Sequence, residues 1–198
     1  MPMSATKAYH HDTIEAGARQ AIKERPILFS GPMVRAIIEG RKTQTRRIIK
    51  PRNNNSIFVG WDDEFVLNDE NKEWTLSECP YGYPGDRLWV RETWAKQLSG
   101  KYIYRADHQD WELADYTATG AWRPSIHMPR AACRILLQIT DIRVERLQYI
   151  SADDARAEGC TDPGPIAIGE YQTLWEKING PESWALNPYV WAITFKPV

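Results

Sequence analysis

The segment Gly40–Lys50, GRKTQTRRIIK, is the most distinctive stretch of the chain and decides how its fold is predicted. The residues before it place apolar side chains on one helical face, and Gly40 suits the left-handed cap that ends such a helix. The Thr and Ile residues that follow favour an extended backbone. The segment therefore predicts a helix over 31–39 that leads directly into a strand. Residues 41–52 contain six basic and no acidic side chains.

Short alternating runs of apolar and polar residues surround this segment and predict mainly strands. A Ser-Ala-Asp-Asp sequence predicts a capped helix near residue 151. The pattern favours an α+β, mainly β fold: a small, mostly antiparallel, barrel-like sheet with short connecting helices. Further strands are predicted at 27–29, 87–94, 103–104, 133–146 (bent near 141) and 189–195, and further helices at 151–159 and 170–178.

The chain length of 198 residues predicts one domain with insertions. Residues 1–25 are interpreted as a tail with one helix, and residues 26–198 as a single domain. Residues 53–80 hold seven acidic side chains and one basic one, and are interpreted as an acidic insertion with a hairpin. Residues 95–130, rich in Trp and Tyr, are interpreted as a second insertion.

Composition excludes several classes of protein. The formal net charge of −1 argues against a basic footprint over the whole surface. The three cysteines are widely spaced and the four histidines lack ligand spacing, so we expect neither a disulfide framework nor a metal site. We expect no cofactor. No apolar run is long enough for a signal peptide or a membrane span, which favours a cytoplasmic protein.

The basic segment allows two interpretations. It is either an Arg-rich edge strand, which resists pairing with other strands, or a surface that binds phosphates. It also combines Lys42 with the hydroxyl of Thr45. A Thr hydroxyl becomes a nucleophile beside a base, and a Lys amine can act as that base when burial or neighbouring cations lower its pKa.

Other candidate residues are scattered along the chain. Glu158 ends the predicted capped helix and is either a surface carboxylate or an acid–base group. Glu92 is a second carboxylate, in a strand of basic and apolar residues, and could instead pair with an Arg. Trp89 and Trp94 would either pack in the core or stack on a base.

At this point the sequence resembles a known family. The Gly-Arg-Lys-Thr-x-Thr run, followed by the Pro84-Gly85-Asp86 turn and the strand Leu88-Trp89-Val90, is similar to the ASCH domain, which has a PUA-like fold. Residues 150–159 resemble the short helix of that family. The likeness covers residues 26–50, 84–94 and 133–198, and is strongest to the longer phage and prophage-type members.

The resemblance implies a function. The compact bacterial members are N4-acetylcytidine amidohydrolases, and their catalytic residues correspond to Lys42, Thr45 and Glu158. Lys42 would accept the proton of Thr45, Thr45 would attack the acetyl carbonyl, and Glu158 would protonate the leaving amine. The partner would be RNA or a modified nucleoside. The side chains expected to contact it are Arg41, Arg46, Arg47, Trp89, Glu92 and Trp94.

Three alternatives stay open. The chain could be a nucleic-acid-binding module without catalysis, since other members of the superfamily bind RNA. It could be a ribonuclease, although no pair of histidines indicates one. It could also be a phage-encoded interaction protein that binds through the acidic insertion at 53–80.

Overall fold

The computed structural model describes residues 21–50, 76–108 and 122–198. Most of the helix predicted before residue 26 lies outside the described residues, but its end is wrong, because residues 21–23 are not helical and a strand begins at Glu24. The hairpin of the acidic insertion lies outside the described residues. So does the central part of the Trp-rich insertion. No helix in the described ranges is long and apolar enough to cross a membrane.

The described residues form two sheets and three α-helices, with several single turns of 3₁₀-helix. The strands of the larger sheet follow the order β1-β3-β6-β7-β2, and β4 pairs with β5 in a separate two-stranded sheet. The pair β1–β3 is parallel and the other named pairs are antiparallel. The predicted α+β, mainly β class is therefore confirmed. The elements are β1 (Glu24–Leu28), α1 (Gly31–Ile38), β2 (Gln44–Ile48), β3 (Arg87–Arg91), β4 (Trp94–Lys96), β5 (Tyr102–Tyr104), β6 (Leu136–Arg146), α2 (Ala152–Ala157), α3 (Ile166–Asn179) and β7 (Tyr189–Pro197).

The two edge strands of the large sheet, β1 and β2, approach each other without pairing. No backbone hydrogen bond joins them within the described ranges, so strand pairing does not close this sheet into a barrel. Side chains connect the two edges instead. Arg47 Nη2 donates a hydrogen bond to the carbonyl of Leu28 at 2.7 Å, and its guanidinium lies 5.2 Å from the ring centroid of Phe29. Among the described residues, the edge of β2 that faces away from β7 therefore has no strand paired to it.

Several boundaries differ from the predicted ones. The strand predicted at 87–94 is two strands, β3 and β4, which belong to different sheets. The predicted helix 170–178 begins earlier, at Ile166. The bend predicted near Asp141 is confirmed as a register shift between Ile139 and Asp141 where β6 pairs with β7. Such a bulge bends a strand and increases its twist.

Hydrophobic clusters cover both faces of the sheet around β2 and β7. Trp191 and Ile193 of β7 pack in the first cluster, together with Ile49 at the end of β2. Val190 packs in the second cluster, against which Ile48 also lies. Neighbouring residues of a strand point to opposite faces, so β2 separates the two clusters. Helix α3 contributes to the second cluster and therefore lies on one side of β2.

Candidate functional site

Lys42 and Glu158 form an ion pair in the interior of the protein. Lys42 Nζ lies 2.6 Å from Glu158 Oε2 and also donates to the Glu158 carbonyl oxygen at 2.8 Å. The two residues are 2% and 4% exposed. Burial lowers the pKa of Lys42, and the neighbouring carboxylate of Glu158 opposes that effect. A buried charge needs such a partner, because leaving it unpaired costs several kcal/mol (about 3–5).

Local backbone geometry brings the two residues together. Gly40 has φ +74°, and the turn that it makes after α1 lets the Lys42 N–H donate to the Ala36 carbonyl at 2.9 Å. Gly159 follows Glu158 with φ +102°. A Cβ at Gly159 would lie 3.3 Å from Ala36 Cβ and 3.4 Å from Lys42 Cβ. Glycine therefore allows the end of α2 to pack directly on the turn before β2.

Arg46 holds the other oxygen of Glu158. Its side chain is fully buried, and Nη1 lies 3.3 Å from Glu158 Oε1. Nη2 lies 2.6 Å from Glu145 Oε1 and 3.2 Å from Asp154 Oδ2. Arg143 contacts the same two carboxylates at 2.8 and 2.9 Å. The network thus contains three cations and three carboxylates, and its formal charges sum to zero: Lys42, Arg46, Arg143, Glu145, Asp154 and Glu158.

Thr45 lies beside this network in a cavity of about 650 Å³, which it lines together with Glu158, Arg46 and Arg47. We call this the β2 cavity, because it follows the unpaired edge of that strand. Lys42 is not part of its lining. Neither Lys42 nor Glu158 hydrogen-bonds to the Thr45 hydroxyl in the described part of the chain. The structure thus brings Lys42 and Glu158 into contact and places Thr45 on the same cavity as Glu158.

Backbone amides of β2 also face the cavity. The Ile49 N–H donates to Tyr189 and the Thr43 carbonyl accepts from Phe195, so these odd-numbered residues face β7. In an antiparallel ladder the alternate residues point the other way. The N–H groups of Gln44, Arg46 and Ile48 are therefore directed to the open edge. Backbone donors next to a nucleophile can stabilise a developing oxyanion.

The three predicted arginines have different surroundings. Arg46 is buried in the charged network, whereas Arg47 lines the cavity opposite Tyr81. Burial raises the pKa of Tyr81, and the nearby Arg47 opposes this effect. Arg41 is exposed, pairs with Glu39 and donates to the Gly159 carbonyl at 3.2 Å, outside the cavity lining.

The three candidates between residues 85 and 95 lie elsewhere. Glu92 is 1% exposed and binds Arg134 through two hydrogen bonds of 2.8 and 3.0 Å. Burial raises the pKa of Glu92, and Arg134 opposes the shift. Trp94 is 3% exposed within a small hydrophobic cluster, and Trp89 is half-buried with the Arg91 guanidinium 5.4 Å from its ring centroid.

Trp89, Glu92 and Trp94 do not line the β2 cavity. The physical reason is the strand order. β3 pairs with β1 and β6, whereas β2 lies at the opposite edge of the sheet, next to β7. This order depends on contacts between residues far apart in sequence, which local patterns do not reveal.

Two aromatic residues of α3 were absent from the predicted site. Tyr171 lies with its ring centroid 5.9 Å from the Arg46 guanidinium carbon, and burial raises its pKa well above the ordinary value. Trp175 follows one helical turn later, and both line the cavity. Their i, i+4 spacing indicates one face of a helix, but not that this face meets β2.

Burial raises the pKa of Cys160, close to Glu158, to about 12, so its thiol is not activated. Within residues 21–50, 76–108 and 122–198, no group of three or more His, Cys, Asp or Glu side chains is arranged to hold a metal ion.

Comparisons with known proteins identify two solved structures. The ASCH domain from Lactobacillus crispatus JV V101 is 12% identical, with a TM-score of 0.43, and the match covers 88% of this chain and 79% of that one. A protein of the DUF984 family from Enterococcus faecalis V583 is 10% identical, with a TM-score of 0.43, over 90% and 82% of the two chains. No model of a known protein family and no curated protein matches the chain. Structural similarity at such low identity and TM-score does not indicate the activity of this chain.

Proposed function

We propose that the chain is an ASCH-type domain that accepts a modified nucleoside, free or within RNA, in the β2 cavity and hydrolyses an N-acyl amide on its base. N4-acetylcytidine is the reference substrate. The observation that carries this proposal is the buried Lys42–Glu158 ion pair, 2.6 Å long, beside a cavity lined by Thr45. It combines an acid–base pair with a hydroxyl nucleophile.

The first step forms an acyl-enzyme. Lys42 first gives a proton to Glu158, which leaves a neutral amine and a carboxylic acid. Its side chain then rotates towards Thr45 and takes the hydroxyl proton while Oγ1 attacks the carbonyl carbon of the amide. The carbonyl π electrons move to its oxygen, and their return breaks the C–N bond. Glu158 donates its proton to the leaving amine nitrogen as this bond breaks, which restores the ammonium of Lys42 and the carboxylate of Glu158. Burial supports the role of Lys42 as a base, because it lowers the pKa of the ammonium group.

The second step regenerates the enzyme. A water molecule loses a proton to the acid–base pair and attacks the ester on Thr45. The acid is released, and the proton returns to the Thr45 oxygen. The backbone N–H of Arg46 and the guanidinium of Arg47 are the donors suited to stabilise the oxyanion in both steps.

A second candidate is a module that binds nucleic acid without catalysis. Lys42 does not line the cavity, and both its charge and that of Glu158 are already neutralised by buried partners. In this alternative the charged network has a structural role alone and holds α2 against β2. The exposed cations Arg41 and Lys50 would then contact phosphates at the rim.

The direct test incubates the purified chain with N4-acetylcytidine and follows release of cytidine by chromatography. We expect turnover by the natural chain and a loss of at least about 100-fold in Thr45→Val and Lys42→Met. Lys101→Met, at an exposed lysine, is the matched control and should retain full activity. Absence of turnover, or undiminished turnover in both site variants, would rule out the hydrolase.

The second candidate is tested with a single-stranded RNA oligonucleotide. A binding module without catalysis should show an affinity that falls steeply with salt concentration, in the absence of amide hydrolysis. Binding that is absent, or that does not respond to salt, contradicts this alternative.

A further inference from the structure

Tyr81 is a polar residue of the β2 cavity that has no part in the two hydrolytic steps. It lines the cavity, is half-buried and packs against the first hydrophobic cluster. The Arg47 side chain hydrogen-bonds to its hydroxyl group. A guanidinium has donors only, so the Tyr81 oxygen is the acceptor in this bond. The O–H proton of Tyr81 is therefore left to be donated to a second group in the cavity.

Tyr81 lies on the same side of β2 as the nucleophile. Thr45 and Arg47 are two residues apart in this strand, so their side chains point to the same face. The Phe29 ring belongs to the first cluster on that face. Its centroid lies 5.2 Å from the Arg47 guanidinium carbon and 5.7 Å from Lys42 Nζ. The nucleophile, the base and the Arg47–Tyr81 pair are thus arranged on one side of the strand.

Uncharged partners hold the Arg47 guanidinium in place. Nη2 donates to the Leu28 carbonyl at 2.7 Å, and Nη1 donates to the Arg46 carbonyl at 3.4 Å. Among the described residues, the remaining close partners are the Phe29 ring and the Tyr81 hydroxyl. The positive charge of Arg47 is therefore not offset by a direct ion pair in this part of the chain, and it acts on the Tyr81 O–H bond.

The Pro-Gly-Asp turn identified in the sequence holds Tyr81 on the other side of the cavity. The Asp86 carboxylate accepts from the Tyr83 amide at 3.2 Å and from Arg25 Nη1 at 2.9 Å. Gly82 has φ +111°, and a Cβ there would lie only 2.5 Å from Arg25 Nη1 and from Asp86 Oδ2. Glycine therefore lets the backbone after Tyr81 pack directly on this ion pair, which fixes the place of the Tyr81 ring.

Amide hydrolysis creates negative charge on the carbonyl oxygen when Thr45 Oγ1 adds to the carbonyl carbon. A preorganised hydrogen-bond donor at that oxygen is usually a large contribution to catalysis, and a Tyr hydroxyl can supply it. A hydroxyl group that accepts from a guanidinium is a stronger donor, because hydrogen bonds in a chain polarise one another. Arg47 and Tyr81 therefore combine positive charge with a polarised donor on the side of the nucleophile.

We propose that the Tyr81 hydroxyl is a further catalytic group, which donates a hydrogen bond to the oxyanion of the amide substrate while Arg47 positions and polarises it. This inference rests on the proposed function, because it concerns the same site. The proton stays on Tyr81 throughout. The proton transfers among Lys42, Thr45 and Glu158 are therefore unchanged.

The test measures kcat and KM of Tyr81→Phe with N4-acetylcytidine. We expect kcat to fall by about 100-fold, the usual effect of removing one oxyanion donor, with less than about a threefold change in KM. The ring is retained, so the melting temperature should stay that of the natural chain. Tyr149→Phe is the matched control and should keep full activity, because Tyr149 is 61% exposed and lies outside the cavity lining.

A second variant tests the dependence of Tyr81 on Arg47. Arg47→Met should also lower kcat. The double variant Arg47→Met/Tyr81→Phe should lose less than the product of the two single losses, because residues that act as a pair have non-additive effects. A double loss equal to that product would contradict the pairing.

The outcomes separate the two proposals. If the natural chain releases no cytidine, the hydrolase and the role of Tyr81 fail together. If the natural chain hydrolyses the substrate and Tyr81→Phe keeps its kcat, only the role of Tyr81 is overturned. A loss that appears in KM alone, or that accompanies a lower melting temperature, also overturns it, since Tyr81 would then serve binding or folding.

Discussion

Lys42 Nζ lies 2.6 Å from Glu158 Oε2, and the two side chains are 0% and 3% exposed. The Lys42 ammonium therefore depends on a single carboxylate and one carbonyl oxygen, whereas Glu158 has a second cation in Arg46. The pair joins the turn before β2 to the end of α2, which are 116 residues apart in sequence. Substitution of either partner should therefore lower the free energy of unfolding as well as the activity.

Glu158→Gln should destabilise the fold by about 3–5 kcal/mol, because it leaves the Lys42 ammonium buried without a counter-charge. Chemical denaturation measures this free energy of unfolding. Glu39→Gln removes a carboxylate from an exposed pair and should cost less than about 1 kcal/mol. The double variant Lys42→Met/Glu158→Gln should be more stable than the sum of the single losses predicts. Additive losses would show that the two groups do not interact.

Arg46→Lys should cost about 2 kcal/mol in stability, although it keeps the charge. One ammonium group cannot replace a planar guanidinium that contacts Glu158 through Nη1 and both Glu145 and Asp154 through Nη2. Thermal unfolding gives the measurement. Arg156→Lys is the control, since the Arg156 guanidinium pairs with Asp153 at the surface, and it should leave the melting temperature unchanged. Equal effects of the two substitutions would contradict a role for the buried network.

Gly159→Ala should be more destabilising than Gly180→Ala by about 1 kcal/mol or more. The two glycines have φ values of +102° and +100°, so both substitutions introduce similar backbone strain. Only at Gly159 would the new Cβ crowd Ala36 and Lys42, because nothing lies within 4 Å of the corresponding position at Gly180. The difference in the free energy of unfolding therefore isolates the close approach of the end of α2 to α1 and to the turn before β2. Equal losses would show that the contact tolerates a methyl group.

Asp86 should make the fold sensitive to acid. Burial raises its pKa, but hydrogen bonds from the Lys23 and Tyr83 amides and from Arg25 outweigh this, so the folded-state pKa is below the usual 3.8. A carboxyl group whose pKa is lowered by folding stabilises the fold at pH values above its pKa in the unfolded chain. That contribution is lost as the pH falls through its pKa in the folded chain. Asp86→Ala should lower stability by about 2 kcal/mol at neutral pH.

The measurement for Asp86 is the free energy of unfolding between pH 6 and pH 2. The difference between the natural chain and Asp86→Ala should shrink below pH 3.8, where the natural chain loses the same interactions. A difference that stays constant over this range would show that the Asp86 charge does not contribute.

Local sequence patterns were sufficient for much of the fold. The helix that ends at Gly40, the strand after it and the capped helix before Glu158 were predicted from caps, β propensity and spacing, and the structure contains all three. The partners of Arg46 could not be predicted in the same way. Glu145 and Glu158 are 99 and 112 residues away in sequence. The pairing of β2, β7 and β6 brings Glu145 to Arg46, and the packing of α2 on the turn before β2 brings Glu158.

The charge-balanced network also limits which substitutions the chain can accept over time. Its six members come from β2 with the turn before it, from β6 and from the α2 segment, and their charges cancel only as a set. Loss of one carboxylate leaves an excess cation in the interior, which makes loss of a neighbouring cation favourable rather than harmful. We expect relatives to keep the set whole or to exchange an oppositely charged pair in a single lineage, such as Arg143 with Glu145. Substitutions at the charged positions of these two strands and this helix, which are distant along the chain, are therefore expected to occur together.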